Sequence, residues 1–298
     1  MKGTEALGTY LDKHPQMLRS YKNEPHFFDM NCGLNCTEVN KLSLDNIKQI
    51  RKMYREEYFN LTVLENEGDI LAFEKTPIYI FNPWVPWRVR KIVPWSKIIM
   101  LLRDPVERAY SAFKMNYIRY DIEYYKKEYG NVTFETCVEV DIVKLQANGI
   151  LNETFWKVDA EERERRWLSY WNGWDEDFLT AEEVCSAEVG RGLYSLQIHI
   201  WLKAYNNDAS RKLLFFIKSE ALLPDRETKK VDLTPITDFI GIDELEIISD
   251  KKKIHSYYGL GPLHEDTRRK LQQIFDPFNN ELLTLLGEEW KNPWPYNS

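Results

Sequence analysis

Between Ile98 and Leu102 five apolar residues run without interruption, and directly after them the period changes to that of a helix. The unbroken run suits a strand buried on both faces of a parallel sheet. Asp104 then stands where an N-cap belongs. Pro105 takes the first helical position, where a missing N–H costs nothing, and Glu107 completes a capping-box spacing. Val106, Ala109, Tyr110, Phe113 and Tyr117 follow at helical spacing as one apolar face, with Arg108, Ser111 and Met115 on another. The same alternation runs along the rest of the chain. Leu7, Tyr10 and Leu11 predict a short amphipathic helix ending before Pro15. Leu44, Ile47, Ile50 and Tyr54 predict a helix from Ser43 to about Tyr58, followed by a short strand over residues 70–73. Further helices are expected from Val85 to Ile92, in EERERRWLSYW, from Gly192 to Tyr205, in DLTPITDFIG, and from Thr267 past Pro277 to Leu286. A second buried strand is expected at Leu213 to Ile217. Alternating strands and helices argue an α/β fold, a central parallel sheet flanked by helices. Residues 120–189 are charged, aromatic and irregular in pattern. They read as an insertion covering the face that carries the chemistry, so that residues 1–298 form one domain.

The composition narrows the classes. A chain of 298 residues, 43% hydrophobic, buries a sizeable core. Its net charge of −7 argues against a dedicated nucleic-acid binder, which would carry an overall basic surface. The four cysteines, Cys32, Cys36, Cys137 and Cys185, form no CxxC pair and have no histidine at zinc-ligand spacing, so no structural metal is expected. Sequons at Asn35, Asn60, Asn131 and Asn152 favour a secretory lumen. There, Cys32 with Cys36 or Cys137 with Cys185 would be free to pair. No apolar run approaches the ~20 residues of a membrane span and no signal peptide is present. A luminal protein would therefore have its targeting segment outside this chain.

Candidate chemistry collects at four places. At the joint after Leu102, the free amides of a helix N-terminus and the Arg103 cation make an anion site, with the Ser111 hydroxyl about 9 Å further along the axis. The competing reading is a well-capped helix whose Arg103 pairs with Asp104 or Glu107. Gly3 suits a tight loop presenting backbone N–H groups to an anion; KGT is not a Walker A motif, which needs GxxxxGK followed by Ser or Thr. In KNEPHFFD, Pro25 keeps Glu24 out of the helical region, so this segment is expected to be extended or turning, with Glu24 and His26 sharing a side. Either is suited to general-base work, against the plain alternative of a surface turn. Lys75 and Thr76 stand at the carboxyl end of the predicted strand, where open α/β sheets place their ligands.

In this order the pieces resemble the carbohydrate sulfotransferases that use 3′-phosphoadenylyl sulfate, of the heparan sulfate 3-O-/N-sulfotransferase and chondroitin 4-sulfate 6-O-sulfotransferase types. The resemblance rests on LLRDPVERAYS, GTEAL with LxxHP, NEPHFFD, EKTPxY, VPxRV, GLYSLQIHIWL and DTRRKL with DPFNxxL. It implies a P-loop-like domain and a sulfuryl transfer to a hydroxyl or amine of a glycan or proteoglycan acceptor, with no metal and no nucleic-acid partner. By position it implies Glu24 as general base, His26 and Asp29 as neighbours orienting the acceptor, Arg88 on the acceptor side, and Lys75 near the transferred group. Gly3 and Thr4 would hold the 5′-phosphosulfate, and Arg103 and Ser111 the 3′-phosphate. The family lysine three residues before the threonine falls on Met1; either Lys2 substitutes for it, or the chain lacks a strand and a lysine upstream. Lys251 to Lys253, with Lys252 central, is a loose counterpart of the family's cofactor loop. The implied setting is the Golgi lumen, through a type II membrane segment outside this chain. Two other readings stay open: a catalytically impaired glycan- or nucleotide-binding protein on the same fold, and a nucleotide kinase, which the missing Walker A disfavours.

Overall fold

Capping residues and prolines decide where the elements begin. The computed structural model describes residues 3–31, 39, 41–66, 68–119, 132–174, 185, 187–249 and 261–295. Its residues gather into two compact units, one from 1–103 with 201–254 and the other from 104–200 with 255–298.

In the first unit α1 (Gly3–Leu11) leads to β1 (Met17–Arg19), then α2 (Leu44–Tyr58), α3 (Leu61–Asn66), β2 (Leu71–Phe73), α4 (Val85–Ile92) and β3 (Ile98–Leu102). Ser43 caps α2 by accepting from the Asn46 N–H. Leu44, counted from spacing as part of the apolar stripe, is 76% exposed instead, while Ile47 and Ile50 are buried. β1 and β2 pair in parallel with Met17 opposite Leu71, and α2 and α3 supply the crossover such a pair requires.

β3 pairs in parallel with a strand more than a hundred residues later, β4 (Leu214–Lys218), from Ile98 opposite Leu214 to Leu102 opposite Lys218. The parallel α/β character expected from the apolar runs is therefore present. Among the described residues the strands pair two by two rather than in one continuous central sheet. Ala6, Leu7, Tyr10 and Leu11 of α1 pack with Ile217, Leu222, Ile236 and Ile240 in one core cluster. Each such large side chain contributes about 1.5–3 kcal/mol by leaving water. Gly3 is not in a loop, as its sequence context suggests, but opens α1. It lies so close to the residue after β4 that a Cβ there would stand 2.9 Å from the Ser219 Cβ. The start of α1 is thereby held at the carboxyl ends of β3 and β4, the end at which parallel sheets bind ligands. Lys97, just before β3, donates to the Ile240 carbonyl at 2.6 Å.

The second unit begins with α5 (Pro105–Arg119), where the Asp104 carboxylate accepts from Val106 N–H at 2.9 Å, as the capping signal predicts. Glu107 bonds Arg268 at 2.8 Å. Within residues 120–189, read as irregular apart from the helix expected in EERERRWLSYW, the described residues form α6 (Phe134–Ala147), which was not expected, and α7 (Ala160–Asn172), which was. Helix α6 escapes periodicity because its buried side includes a charge: Cys137, Val138, Ile142 and Leu145 share it with Asp141, which is fully buried. Asp141 accepts from the N–H groups of Val189 and Gly190, at 2.7 and 2.9 Å, and from the Tyr170 hydroxyl. Burial pushes its carboxyl up to about 6 despite these three donors. One turn earlier on α6, Cys137 is disulfide-bonded to Cys185, one of the two pairings the sequence allowed; Cys32 and Cys36 lie outside the described residues. The chain continues through α8 (Tyr194–Ala204) and α9 (Asp208–Arg211) to β4, and after β4 through β5 (Lys230–Val231), α10 (Thr234–Ile240) and β6 (Ile247–Ile248), with β5 and β6 antiparallel. It then forms α11 (Glu265–Leu286), which runs unbroken through Pro277. Among the described residues no helix is long and apolar enough to cross a membrane. Of the sequons, Asn152 is exposed and Asn60 half-buried; Asn35 and Asn131 lie outside the described residues.

Gly190 stands so close to Tyr170 that an added Cβ would fall 2.0 Å from its hydroxyl oxygen. Gly190→Ala is accordingly expected to cost about 1–3 kcal/mol, the usual range for overpacking, read as a lowered urea midpoint at unchanged m.

Candidate functional site

Three segments of the first unit meet around one ammonium group. Lys75 follows β2, and its Nζ bonds Glu5 Oε2 of α1 at 2.7 Å and Glu24 Oε1 at 2.9 Å. Its stem runs along α1 at Gly8, where a Cβ would stand 3.4 Å from the Lys75 Cδ. The Lys75 side chain is only 11% exposed, whereas both carboxylates are about two-fifths exposed, so their oxygens face solvent while the cation lies beneath. Arg19 at the end of β1 adds a second cation 3.6 Å from Glu5 and donates to the Asn23 side-chain Oδ1. Burial raises the Glu5 carboxyl, but hydrogen bonding and charge from Lys75, with the charge of Arg19, outweigh it and hold the group below its ordinary value.

The NEPHFFD segment turns sharply at His26, whose φ of 52° is unusual for a residue with a side chain. It then makes a π-helical turn over Phe27–Asn31, where the sequence predicted extended or turning backbone without helix. The proline argument holds for Glu24 alone; after His26 the chain is drawn inward by Phe27 and Phe28, both nearly inaccessible. His26 Nδ1 lies 2.8 Å from Asp29 Oδ2, and a carboxylate partner requires the proton on Nδ1. Its Nε2 is 3.8 Å from Glu24 Oε2, so Glu24 and His26 do share a side. Arg88 of α4 is buried and donates to the carbonyls of Phe28 and Asp29, at 2.7 and 3.2 Å. It therefore holds the turn from behind instead of projecting to solvent.

Beneath the turn lies a carboxylate that the sequence did not single out. Glu74, next to Lys75, accepts from Tyr54 at 3.0 Å, from Tyr79 at 3.1 Å and from Thr76 at 2.9 Å. Enclosure of the carboxylate among aromatic rings raises it, against these three donors, to about 7. Burial likewise raises the Tyr54 and Tyr79 hydroxyls. The signal for Glu74 was its place beside Lys75 in the EKTPxY motif; nothing in the pattern marked Arg19.

The structure thus brings Glu24, His26, Asp29, Lys75 and Arg88 together in one unit. Gly3 and Thr4 form the first turn of α1 and Arg103 follows β3, also in that unit; Ser111 is half-buried on α5 of the other. Lys2 and Lys252 lie outside the described residues.

This is the fold of a sulfotransferase: a crystal structure of a sulfotransferase from Alicyclobacillus acidocaldarius superposes with a TM-score of 0.51, covering 95% of this chain and 91% of that one at 20% identity. In sequence the chain is 26% identical to the membrane-associated sulfotransferase kil1 of Dictyostelium discoideum, over 97% of this chain and 64% of that protein. It is 22% identical to mouse heparan sulfate glucosamine 3-O-sulfotransferase 3A1, over 97% of this chain and 61% of that protein. A shorter match, 32% identical, links 37% of this chain to 26% of human heparan sulfate glucosamine 3-O-sulfotransferase 6. The chain spans less than two thirds of the length of these curated relatives, and no family model matches it. The similarities agree with the resemblance carried by the motifs.

The position of Glu74 has a consequence for stability. Between an ordinary glutamate value of 4.5 and about 7, the native chain keeps a proton on Glu74 that the unfolded chain has released. This contribution is full below 4.5 and lost as pH rises through 7. Urea unfolding free energies of the wild type at about pH 5 and about pH 8 should then differ by on the order of 3 kcal/mol more than those of Glu74→Gln.

Proposed function

We propose that this chain is a sulfotransferase that moves a sulfuryl group from 3′-phosphoadenylyl sulfate to a hydroxyl or amine of a glycan, with Glu24 as the general base. The observation that carries the reading is the meeting of Glu24 and Lys75, 51 residues apart in sequence, at a 2.9 Å hydrogen bond in a chain similar to sulfotransferases along nearly its whole length. The glycan acceptor follows from the names of the heparan sulfate relatives.

Sulfuryl transfer is an in-line displacement in which the protein positions the reactants and neutralises charge. As the acceptor oxygen forms its bond to sulfur, its proton passes to Glu24, and the bond from sulfur to the bridging oxygen of the donor breaks to release adenosine 3′,5′-bisphosphate. Lys75 sits within a hydrogen bond of Glu24, so its cation stands where negative charge passes between acceptor and donor. His26, with Nδ1–H committed to Asp29, turns Nε2 toward the same place. The start of α1, with Gly3 and Thr4, turns N–H groups that have no acceptor within the helix, and the positive helix end, toward the 5′-phosphosulfate. Arg103 is assigned to the 3′-phosphate. The setting that goes with this reading is the Golgi lumen.

The direct test is transfer of radiolabelled sulfate from the donor to a panel of glycans. Glu24→Gln should lower kcat by roughly 10²–10⁴-fold while leaving the calorimetric affinity for adenosine 3′,5′-bisphosphate unchanged. Arg103→Ala should do the reverse at the donor, weakening bisphosphate binding by about 1.5–3 kcal/mol. Tight bisphosphate binding without transfer to any glycan would favour the catalytically impaired reading instead.

A further inference from the structure

The hydroxyl groups around Glu74 do more than satisfy it. Tyr79 has one proton, which it donates to Glu74, and two lone pairs, which accept the backbone N–H groups of Phe27 and Phe28 at 2.9 and 3.1 Å. Its hydrogen-bonding capacity is complete. Thr76 likewise donates to Glu74 and lies 3.5 Å from the His26 backbone N–H. Each of these two hydroxyls can face the turn with its lone pairs only because its proton is taken by the carboxylate. Remove that acceptor, and the protons must turn elsewhere, against the amides they now receive. Glu74 in turn is held from α2 by Tyr54, whose ring lies 4.5 Å from that of Phe27 and 5.2 Å from that of Phe28.

The turn that rests on these hydroxyls is strained at its entry, with His26 at φ 52° and Glu24 on its exposed shoulder. Such a conformation persists only where its surroundings over-determine it. Arg88 supplies one restraint, through the Phe28 and Asp29 carbonyls. The hydroxyls supply the complementary one, through the N–H groups. Acceptors and donors of the same short segment are therefore held from two sides.

We propose that Glu74 is the positioning residue of this site: through the Tyr79 and Thr76 hydroxyls it fixes the turn that carries Glu24, His26 and Asp29, without itself touching the reacting groups. The proposal rests on the reading of Glu24 as base for its catalytic meaning, but its structural content is separable from it. Glu74→Gln keeps one carbonyl oxygen for the tyrosines, so it should retain more activity than Glu74→Ala, whereas a role through charge alone would make the two equal.

The experiment uses the full chain with ¹⁵N-labelled histidine, in the wild type, Glu74→Ala, Glu74→Gln and Tyr79→Phe. His14 is the internal control: it is buried in the same unit, with Nε2 2.8 Å from the Asp243 carbonyl and Nδ1 accepting from the Gln16 N–H at 3.1 Å. In Tyr79→Phe and Glu74→Ala the Asp29-bonded Nδ1–H signal of His26 should shift or vanish into exchange while the His14 signals stay in place, and Glu74→Gln should fall between. Sulfate transfer should drop by roughly 10–100-fold in kcat, the scale of an ångström-sized misplacement, with bisphosphate affinity within about twofold of wild type. A His26 spectrum in Tyr79→Phe and Glu74→Ala that overlays that of the wild type overturns the proposal, whatever the rates. So does movement of His14 together with His26, since that reports general loosening. If the wild type transfers sulfate to nothing in the panel, the reaction assigned above fails, and the histidine spectra still decide whether Glu74 holds the turn.

Discussion

Two carboxylates, Glu5 and Glu24, belong to separate segments and would repel each other if left alone; the Lys75 ammonium between them, 2.7 and 2.9 Å from their oxygens, is what allows α1, the histidine turn and the end of β2 to meet. Exposed ion pairs of this kind add little to stability. Their value here is geometric. A cation that is itself nearly covered fixes the distance between two acids that are not, and sets an acid at the edge of solvent with a positive charge beside it.

Behind this surface arrangement the chain repeats one structural device. Where a segment with no regular hydrogen-bond partners must be held, an enclosed carboxylate organises the donors and acceptors around it. In the second unit Asp141 receives the Val189 and Gly190 amides directly. In the first, Glu74 receives hydroxyls that in turn receive the amides of Phe27 and Phe28. In both cases burial lifts the carboxyl well above its ordinary range, to about 6 and about 7. Both sites therefore trade some stability at neutral pH for a defined backbone path, since an ionised group is kept in an enclosed place by the hydrogen bonds it accepts.

The joint at Leu102 to Pro105 was legible because every local signal there agreed: an apolar run, a capping acid, a proline at the first helical position. Helix α4 was legible to the residue for the same reason, being bounded by prolines. Helix α6 was not, since a buried aspartate interrupts its apolar side, and a polar residue is counted as solvent-facing until its partners are known. The site divides in the same way. Glu24, His26 and Lys75 stood out by residue type beside prolines, whereas Glu74 and Arg19 looked like ordinary surface charges.

By itself the sequence determined the local elements whose caps and periods agree, the parallel α/β character and which side chains are suited to acid, base and anion-binding chemistry, because caps, periods and side-chain types are properties of short stretches. Only the tertiary structure decided which strands pair, since the partner of Ile98 lies at Leu214. It also decided that Lys75 takes Glu5 as well as Glu24, that Arg88 turns inward to two carbonyls, and that Glu74 lies beneath the turn. Each of these depends on contacts between segments tens of residues apart, and such contacts are chosen by the packing of the whole unit rather than by any stretch of chain.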